Sequence, residues 1–143
     1  MENNIYMAGF FDGEGCVRIN KRIRNKYTEY SVFITIGQKD GATIDWIVQN
    51  FGGGSYFIKR DNSYVWTATN KIAYETLKKI TPYLKYKKPQ ALLALSFSEE
   101  RNQGKKTTLE EKERRELLIK KLSEEKKKFT KSIYCRTKDR FND

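Results

Sequence analysis

Histidine is absent from this chain of 143 residues, and cysteine and proline occur only twice each. Histidine is the usual general base in enzymes and a common metal ligand, so its absence excludes Ser-His and Cys-His catalysis within this chain. Cys16 and Cys135 are too few and too far apart to predict a disulfide framework or a zinc site, and we interpret both as free thiols. Any catalysis must therefore use carboxylates, lysines, or a metal ion bound by oxygen atoms.

Long apolar runs and a secretion signal are also missing from the sequence. No segment approaches the roughly 20 apolar residues that a membrane-spanning helix requires. The N-terminal MENNIY lacks the basic and apolar regions of a signal peptide. We therefore expect an intracellular protein, in the cytoplasm or, if it is organelle-encoded, in the organelle matrix or stroma.

Basic residues are in clear excess, with 29 Lys and Arg against 18 Asp and Glu and a net charge of +11. This balance indicates an acidic polymer as the partner, and nucleic acid fits better than a membrane. The length predicts one domain. We divide it into a core over residues 1–98 and a helical, basic C-terminal extension of the same domain over residues 99–143, where most of the positive excess lies.

Hydrophobic periodicity predicts a mixed fold in which a helix is followed by two strands, a helix, two strands and a helix. The predicted ranges are 4–11, 16–24, 30–38, 43–51, 55–59, 63–68 and 71–80, then a helix with Pro89 in its first turn and a C-terminal helix over 108–129. The alternation in the first strand turns Val17, Ile19 and Ile23 inward. Its outward residues are Arg18, Asn20, Arg22 and Arg24.

The segment MAGFFDGEG, residues 7–15, combines small residues, glycines and two acids. Ala8 and Gly9 are small enough for another helix to approach closely. The later glycines free the backbone to turn and leave Asp12 and Glu14 unshielded at the negative end of the helix dipole. Either these acids merely face solvent after a glycine-rich turn, or a hard divalent cation compensates their charge.

This segment closely resembles the signature motif of the LAGLIDADG homing endonucleases, with Met, Phe-Phe and Glu as mild departures. The resemblance implies an α+β fold of the LAGLIDADG homing endonuclease type, of order αββαββα plus C-terminal helices, with an antiparallel β-saddle that binds DNA. ITIGQKD resembles the strand end whose glutamine orders solvent, here Gln38. YLKYKKPQA resembles the segment that supplies an active-site lysine, here Lys87. Ala42 stands where the family often has a basic residue.

The resemblance also implies a function, a site-specific homing endonuclease that makes a metal-dependent double-strand cut in a long pseudo-palindromic DNA target. Because the motif occurs once, the active form would be a homodimer. Two or more Mg²⁺ ions per dimer would be held by Glu14 with help from the Gly13 carbonyl. Lys87 would lie near the phosphate, and Gln38 would orient water. The implied dimer interface comprises Ala8, Gly9, Phe11 and Asp12.

The strands provide the expected DNA surface, because outward polar side chains can bond base edges in the major groove. The alternative is that the arginines are solubilising charges on a sheet edge. The candidate DNA-binding residues are Arg18, Asn20, Arg22, Arg24, Ser31, Phe33, Thr35, Lys59, Tyr64 and Trp66. Two other functions stay open at this point. One is an RNA maturase that assists the splicing of its host intron, and the other is a non-cleaving DNA-binding regulator on the same fold.

Overall fold

The computed structural model describes residues 1–25, 27–101 and 109–130, and these residues form two compact units on either side of the second gap. The first unit confirms the predicted α+β class and the predicted order of elements. Its elements are α1 (Glu2–Glu14), β1 (Gly15–Arg24), β2 (Tyr27–Gln38), α2 (Gly41–Phe51), β3 (Gly54–Ile58), β4 (Ser63–Thr69), α3 (Asn70–Ile80), a 3₁₀ turn (Thr81–Tyr83) and α4 (Lys88–Arg101). The second unit contains α5 (Leu109–Thr130). Thr108, the predicted start of this helix, lies outside the described residues.

The four strands form one antiparallel sheet in the order β1-β2-β4-β3. One face of this sheet is apolar, because the alternation in β1, β2 and β4 brings branched and aromatic side chains into register. Val17 lies opposite Ile34, which lies opposite Ala68, and Ile36 lies opposite Trp66. All five are almost fully buried. Helices α1 to α4 contact this sheet, so its inner face is the core of the first unit.

The ends of several elements differ from the prediction. Helix α1 continues through Gly13 to Glu14, because an isolated glycine weakens a helix without ending it. Strand β2 begins at Tyr27 instead of residue 30, since ladder pairing with Arg24 overrides the polar composition of this segment. The hairpin turns at Asn25, whose φ of +50° is a left-handed conformation that asparagine tolerates.

One predicted inward position is less enclosed than expected. Ile23, near the end of the β1–β2 hairpin, shares the inward parity of Val17 as predicted, but it is 72% exposed. The hairpin extends past the helices there, and alternation alone does not reveal how far a core reaches. Cys16 is half-buried. Among the described helices, none has both the length and the apolar content to cross a membrane.

The loop between α2 and β3 is held by glycine and tryptophan. Gly52 and Gly53 have φ values of +79° and +83°, in the region that favours glycine. The indole N–H of Trp66 donates a 2.8 Å hydrogen bond to the Gly52 carbonyl. A Cβ on Gly53 would lie 2.5 Å from the Thr67 carbonyl oxygen. This close approach holds the loop before β3 against β4.

Candidate active site and DNA-binding face

The C-terminal end of α1 is bound to the segment before α4. The Asp12 carboxylate accepts hydrogen bonds from the backbone N–H groups of Lys85, at 2.8 Å, and Lys87, at 2.9 Å. A carboxylate that accepts two N–H bonds satisfies backbone donors that the adjacent turn leaves open. Asp12 therefore joins two segments that are more than 70 residues apart in sequence, and its oxygens are engaged within the chain.

The side chain of Lys87 returns to the same helix end. Its Nζ donates hydrogen bonds to the carbonyl oxygens of Phe11, at 3.1 Å, and Gly15, at 2.5 Å. It also lies 5.9 Å from the centre of the Phe11 ring. A cation at a helix C-terminus interacts favourably with the helix dipole and with the unpaired carbonyls. An ammonium group of the chain itself therefore lies beside the two acids of the motif. The sequence analysis considered only solvent or a divalent cation as the partner of these acids.

Glu14 and Gln38 lie at the same end of the sheet. Glu14 is the last residue of α1 and is exposed, and Gln38 is the last residue of β2 and is half-buried. The register pairs Gly15 with Ile36, so β2 extends two residues beyond the start of β1 toward this helix end. The structure therefore brings together the end regions that carry Glu14, Gln38 and Lys87.

One chain offers few side chains that could bind a hard metal ion such as Mg²⁺. Within the described ranges, no group of three or more Asp, Glu, Cys or His side chains is arranged to hold a metal ion. Asp12 is engaged by the backbone of residues 85 and 87, which leaves Glu14 as the exposed carboxylate of the motif. Magnesium is commonly bound by one or two carboxylates together with substrate phosphates and water, and a single Glu14 fits that pattern.

The final glycine of the motif has a steric role. Gly15 begins β1 immediately after the helix, with an extended ψ of 156°. A Cβ at this position would lie 2.6 Å from the Phe11 carbonyl oxygen and would also overlap the Phe11 ring. Glycine is therefore required where the chain leaves α1, and the tight turn places the Gly15 carbonyl within reach of Lys87.

The outer face of the sheet carries most of the predicted DNA-contacting residues. Arg18, Asn20 and Arg22 are exposed on β1. Ser31, Phe33 and Thr35 are half-buried beside them on β2, and Lys59 is exposed in the β3–β4 turn. Arg24 ends β1, and its side chain is outside the described set. The alternation in β1 and β2 thus predicted this face correctly, and the DNA contacts themselves stay a prediction.

Two predicted DNA contacts on β4 are on the wrong face. Trp66 is fully buried beneath the sheet, and its indole N–H is bonded to Gly52. Tyr64 is 39% exposed but shares the inner face, opposite Gln38, and its ring lies 4.9 Å from that of Phe57. Both parities of β4 contain large or apolar residues, so alternation did not identify the inward one. The outward residues that the sequence reading missed are Tyr56, Ile58, Ser63, Val65, Thr67 and Thr69.

Helix α1 has two apolar faces. Met7, Ala8 and Phe11 are completely buried in the core of the first unit, so the prediction that Ala8 and Phe11 face a second copy is wrong. Gly9 is exposed, and a Cβ there would meet nothing within 4 Å. Ile5 and Tyr6, which the sequence reading missed, are 47% and 56% exposed. Ile5 and Tyr6 are four and three residues before Gly9, and this spacing could have predicted that they share the helix face of Gly9.

Comparison with known proteins finds one matching family. The family model described as LAGLIDADG endonuclease matches residues 7–101, which include the second half of α1, the whole sheet and α4. Among curated protein sequences, none matches the chain at a significant level.

Several solved structures have the same fold. The homing endonuclease I-CvuI, in complex with its target in the presence of 2 mM Ca, is 23% identical, with a TM-score of 0.75 over 87% of this chain and 82% of that one. The archaeal intron-encoded homing endonuclease I-Vdi141I, complexed with DNA, is 20% identical, with a TM-score of 0.77 over 87% and 84%. I-LtrWI, bound to target DNA, is 19% identical, with a TM-score of 0.70 over 83% of this chain but only 43% of that one.

Proposed function

Because this chain belongs to the LAGLIDADG endonuclease family and carries the motif once, we propose that two copies of it cut a long, nearly palindromic DNA duplex together. The activity of a site-specific homing endonuclease follows from membership in this family. The further statements concern the metal ion, the dimer and the residues that act. These further statements are supported by the arrangement at the C-terminal end of α1. There Glu14 is exposed beside the Lys87 ammonium and the end of β2.

Glu14 would hold a divalent cation, with the Gly13 carbonyl assisting. Mg²⁺ is the ion that this all-oxygen donor set favours, and two or more such ions per dimer would serve the two strands. When bound, the ion would neutralise phosphate charge and lower the pKa of a coordinated water. Asp12 would not be a ligand, because its carboxylate anchors the backbone of residues 85 and 87.

Lys87 would supply positive charge near the phosphate that is cut. Its Nζ is held by two carbonyl oxygens, so the ammonium is positioned before DNA binds. Preorganised charge stabilises a developing negative charge without a cost of reorientation during the reaction. Gln38, at the end of β2, would orient water in the same region.

A second copy of the chain would cover the exposed face of α1. That face carries Ile5, Tyr6 and Gly9, and an exposed apolar patch of this kind can mark a protein–protein interaction site. Pairing two α1 helices there would bring the two Glu14 residues to the twofold axis, one for each DNA strand. The opposite polarity of the two DNA strands matches such an axis.

The decisive experiment compares the wild-type chain with Glu14→Gln on a duplex selected from a randomised library by binding in Ca²⁺. The wild type should cut both strands in Mg²⁺ and only bind in EDTA or Ca²⁺. Glu14→Gln should retain binding within about twofold and lose both cuts, because the amide keeps the shape but loses the charge that holds the ion. Asp45→Asn, an exposed acid on α2, is the matched control. Cutting that persists in Glu14→Gln, or that needs no metal ion, would contradict the proposal.

A further inference from the structure

The outer face of the sheet is chemically divided. Its β1 side presents Arg18, Asn20 and Arg22, all exposed. Its β3–β4 side presents no charged residue at all, because charges on that hairpin are in the turn, at Lys59, Arg60 and Asp61. We define the apolar patch as Tyr56, Ile58, Val65 and Thr67, four of the six outward residues named above. The other two, Ser63 and Thr69, are the first and last residues of β4.

The apolar patch is open to a ligand. Tyr56 is 50% exposed, and Ile58, Val65 and Thr67 are half-buried. The Thr67 hydroxyl oxygen is buried and has no hydrogen-bond partner among the described residues. The exposed surface of Thr67 is therefore that of its other atoms, so even this polar residue presents no hydroxyl to a ligand.

The register places the apolar patch next to the candidate active site. Val65 lies opposite Gly37 on one side and Tyr56 on the other, and Gly37 is one residue before Gln38. Gly37 is exposed, and a Cβ there would meet nothing within 4 Å. The surface beside Val65 is therefore accessible to a ligand, and it lies at the end of the sheet where α1 ends.

The basic side chains of β1 lie farther from that end, whereas Lys59 and Arg60 are in the β3–β4 turn that follows Ile58. Arg18 pairs with Phe33, and Arg22 pairs with Glu29. Between Gly37 and Glu29 the strand advances about 26 Å at roughly 3.3 Å per residue. That distance corresponds to about eight base-pair steps of roughly 3.4 Å. Phe33, the partner of Arg18, is only four residues from Gly37, or about 13 Å at roughly 3.3 Å per residue. A DNA half-site lying along the sheet would thus meet the apolar patch near the cut, Arg18 near its middle and Arg22 toward its outer end.

From this division we propose that the chain reads its target with two chemistries, recognising thymine methyl groups near the cut through the apolar patch and guanine edges distally through Arg18 and Arg22. The proposal rests on the proposed function, because it assumes that DNA lies on this face. In the major groove a thymine differs from a cytosine by its O4 acceptor and by its C5 methyl group, and apolar side chains contact that methyl. Arginine instead donates two hydrogen bonds to guanine O6 and N7.

The test removes only the methyl groups. In the duplex selected from the randomised library, deoxyuridine replaces thymine either in the five base pairs on each side of the cut or in the outer five, and affinity is measured in Ca²⁺ at constant salt. Inner replacement should weaken binding by about fourfold for each contacted methyl group, and outer replacement by less than twofold. Replacing outer guanines by 7-deazaguanine, which removes N7, should weaken binding.

Variants connect the effect to the apolar patch. Val65→Ala should reduce the penalty of inner deoxyuridine at one position of each half-site. Ile23→Ala, which shortens an exposed residue on the opposite face of the sheet, should leave every penalty unchanged. A selected target without inner thymines, or equal penalties at inner and outer positions, would overturn the two-chemistry reading while leaving the endonuclease function intact. A protein that binds no duplex from the library would overturn both.

Discussion

The Asp12 carboxylate accepts a hydrogen bond from the backbone N–H of Lys87, while the Lys87 ammonium donates to the carbonyl of Phe11, the neighbour of Asp12. The side chain of Asp12 therefore holds the backbone of Lys87 in place. The side chain of Lys87 in turn binds the backbone next to Asp12. This reciprocal arrangement explains why an acid occurs at the end of a helix, where its charge alone would be unfavourable. It also ties the position of the candidate catalytic lysine to the motif.

Replacing Asp12 tests this arrangement. Asp12→Asn keeps one acceptor oxygen and loses the charge, so it should lower the free energy of unfolding by about 1–2 kcal/mol, at the low end for hydrogen bonds to charged groups because the site is partly exposed. Urea denaturation of the wild type and the variant would measure it. Asp45→Asn should change stability by less than about 0.5 kcal/mol. Equal stability of Asp12→Asn and the wild type would show that the two N–H bonds contribute little.

Lys87→Met should affect cleavage far more than DNA binding. The substitution keeps the length of the side chain and removes the ammonium, so the rate of strand cutting should fall by about 100-fold, as for the loss of one preorganised donor. Single-turnover cleavage in Mg²⁺ and affinity in Ca²⁺ separate the two effects. Lys85→Met, an exposed lysine in the same segment, serves as the control. A parallel loss of binding in both variants would reduce Lys87 to a general phosphate contact.

Gly9→Leu should separate folding from association. A side chain on Gly9 would point into open space, so the first unit should fold with unchanged or slightly higher stability, because leucine is the better helix former. The added bulk should prevent two α1 helices from approaching, and sedimentation equilibrium should show monomer where the wild type is a dimer. Glu75→Leu, exposed on α3, should leave association unchanged. A Gly9→Leu protein that still dimerises would place the interface elsewhere.

Gly53→Ala should destabilise the fold, whereas Gly54→Ala should not. Gly53 has a φ of +83°, and a Cβ there would meet the Thr67 carbonyl and the Trp66 indole nitrogen. An L-residue in such a conformation costs about 1–3 kcal/mol, and the contacts add to it. A Cβ on Gly54 would meet nothing within 4 Å. Thermal unfolding of both variants measures the difference, and equal losses would show that the loop relaxes freely.

The sequence by itself determined the order of elements, the motif and the faces of β1 and β2. Strict alternation around Val17 and Ile34 leaves only one inward parity, so Arg18 and Arg22 had to be outward. The motif marked residues 7–15 as a candidate functional segment because no ordinary helix or turn combines two acids with three glycines, although the predicted end of α1 was three residues too early. These signals are local, and each is complete within about ten residues.

Contacts between distant segments set which side of α1 is buried, which side of β4 faces outward, and what binds Asp12. Ala8 and Gly9 are both small, and only packing against the core shows that Ala8 is enclosed and Gly9 open. Trp66 is inward, packed opposite Ile36, and the carbonyl of Gly52 accepts its indole N–H across 14 residues. The bond from Lys87 to Asp12 spans 75 residues. Periodicity shows only which side chains share one face of a helix or strand. Whether that face is buried depends on distant segments of the chain that pack against it.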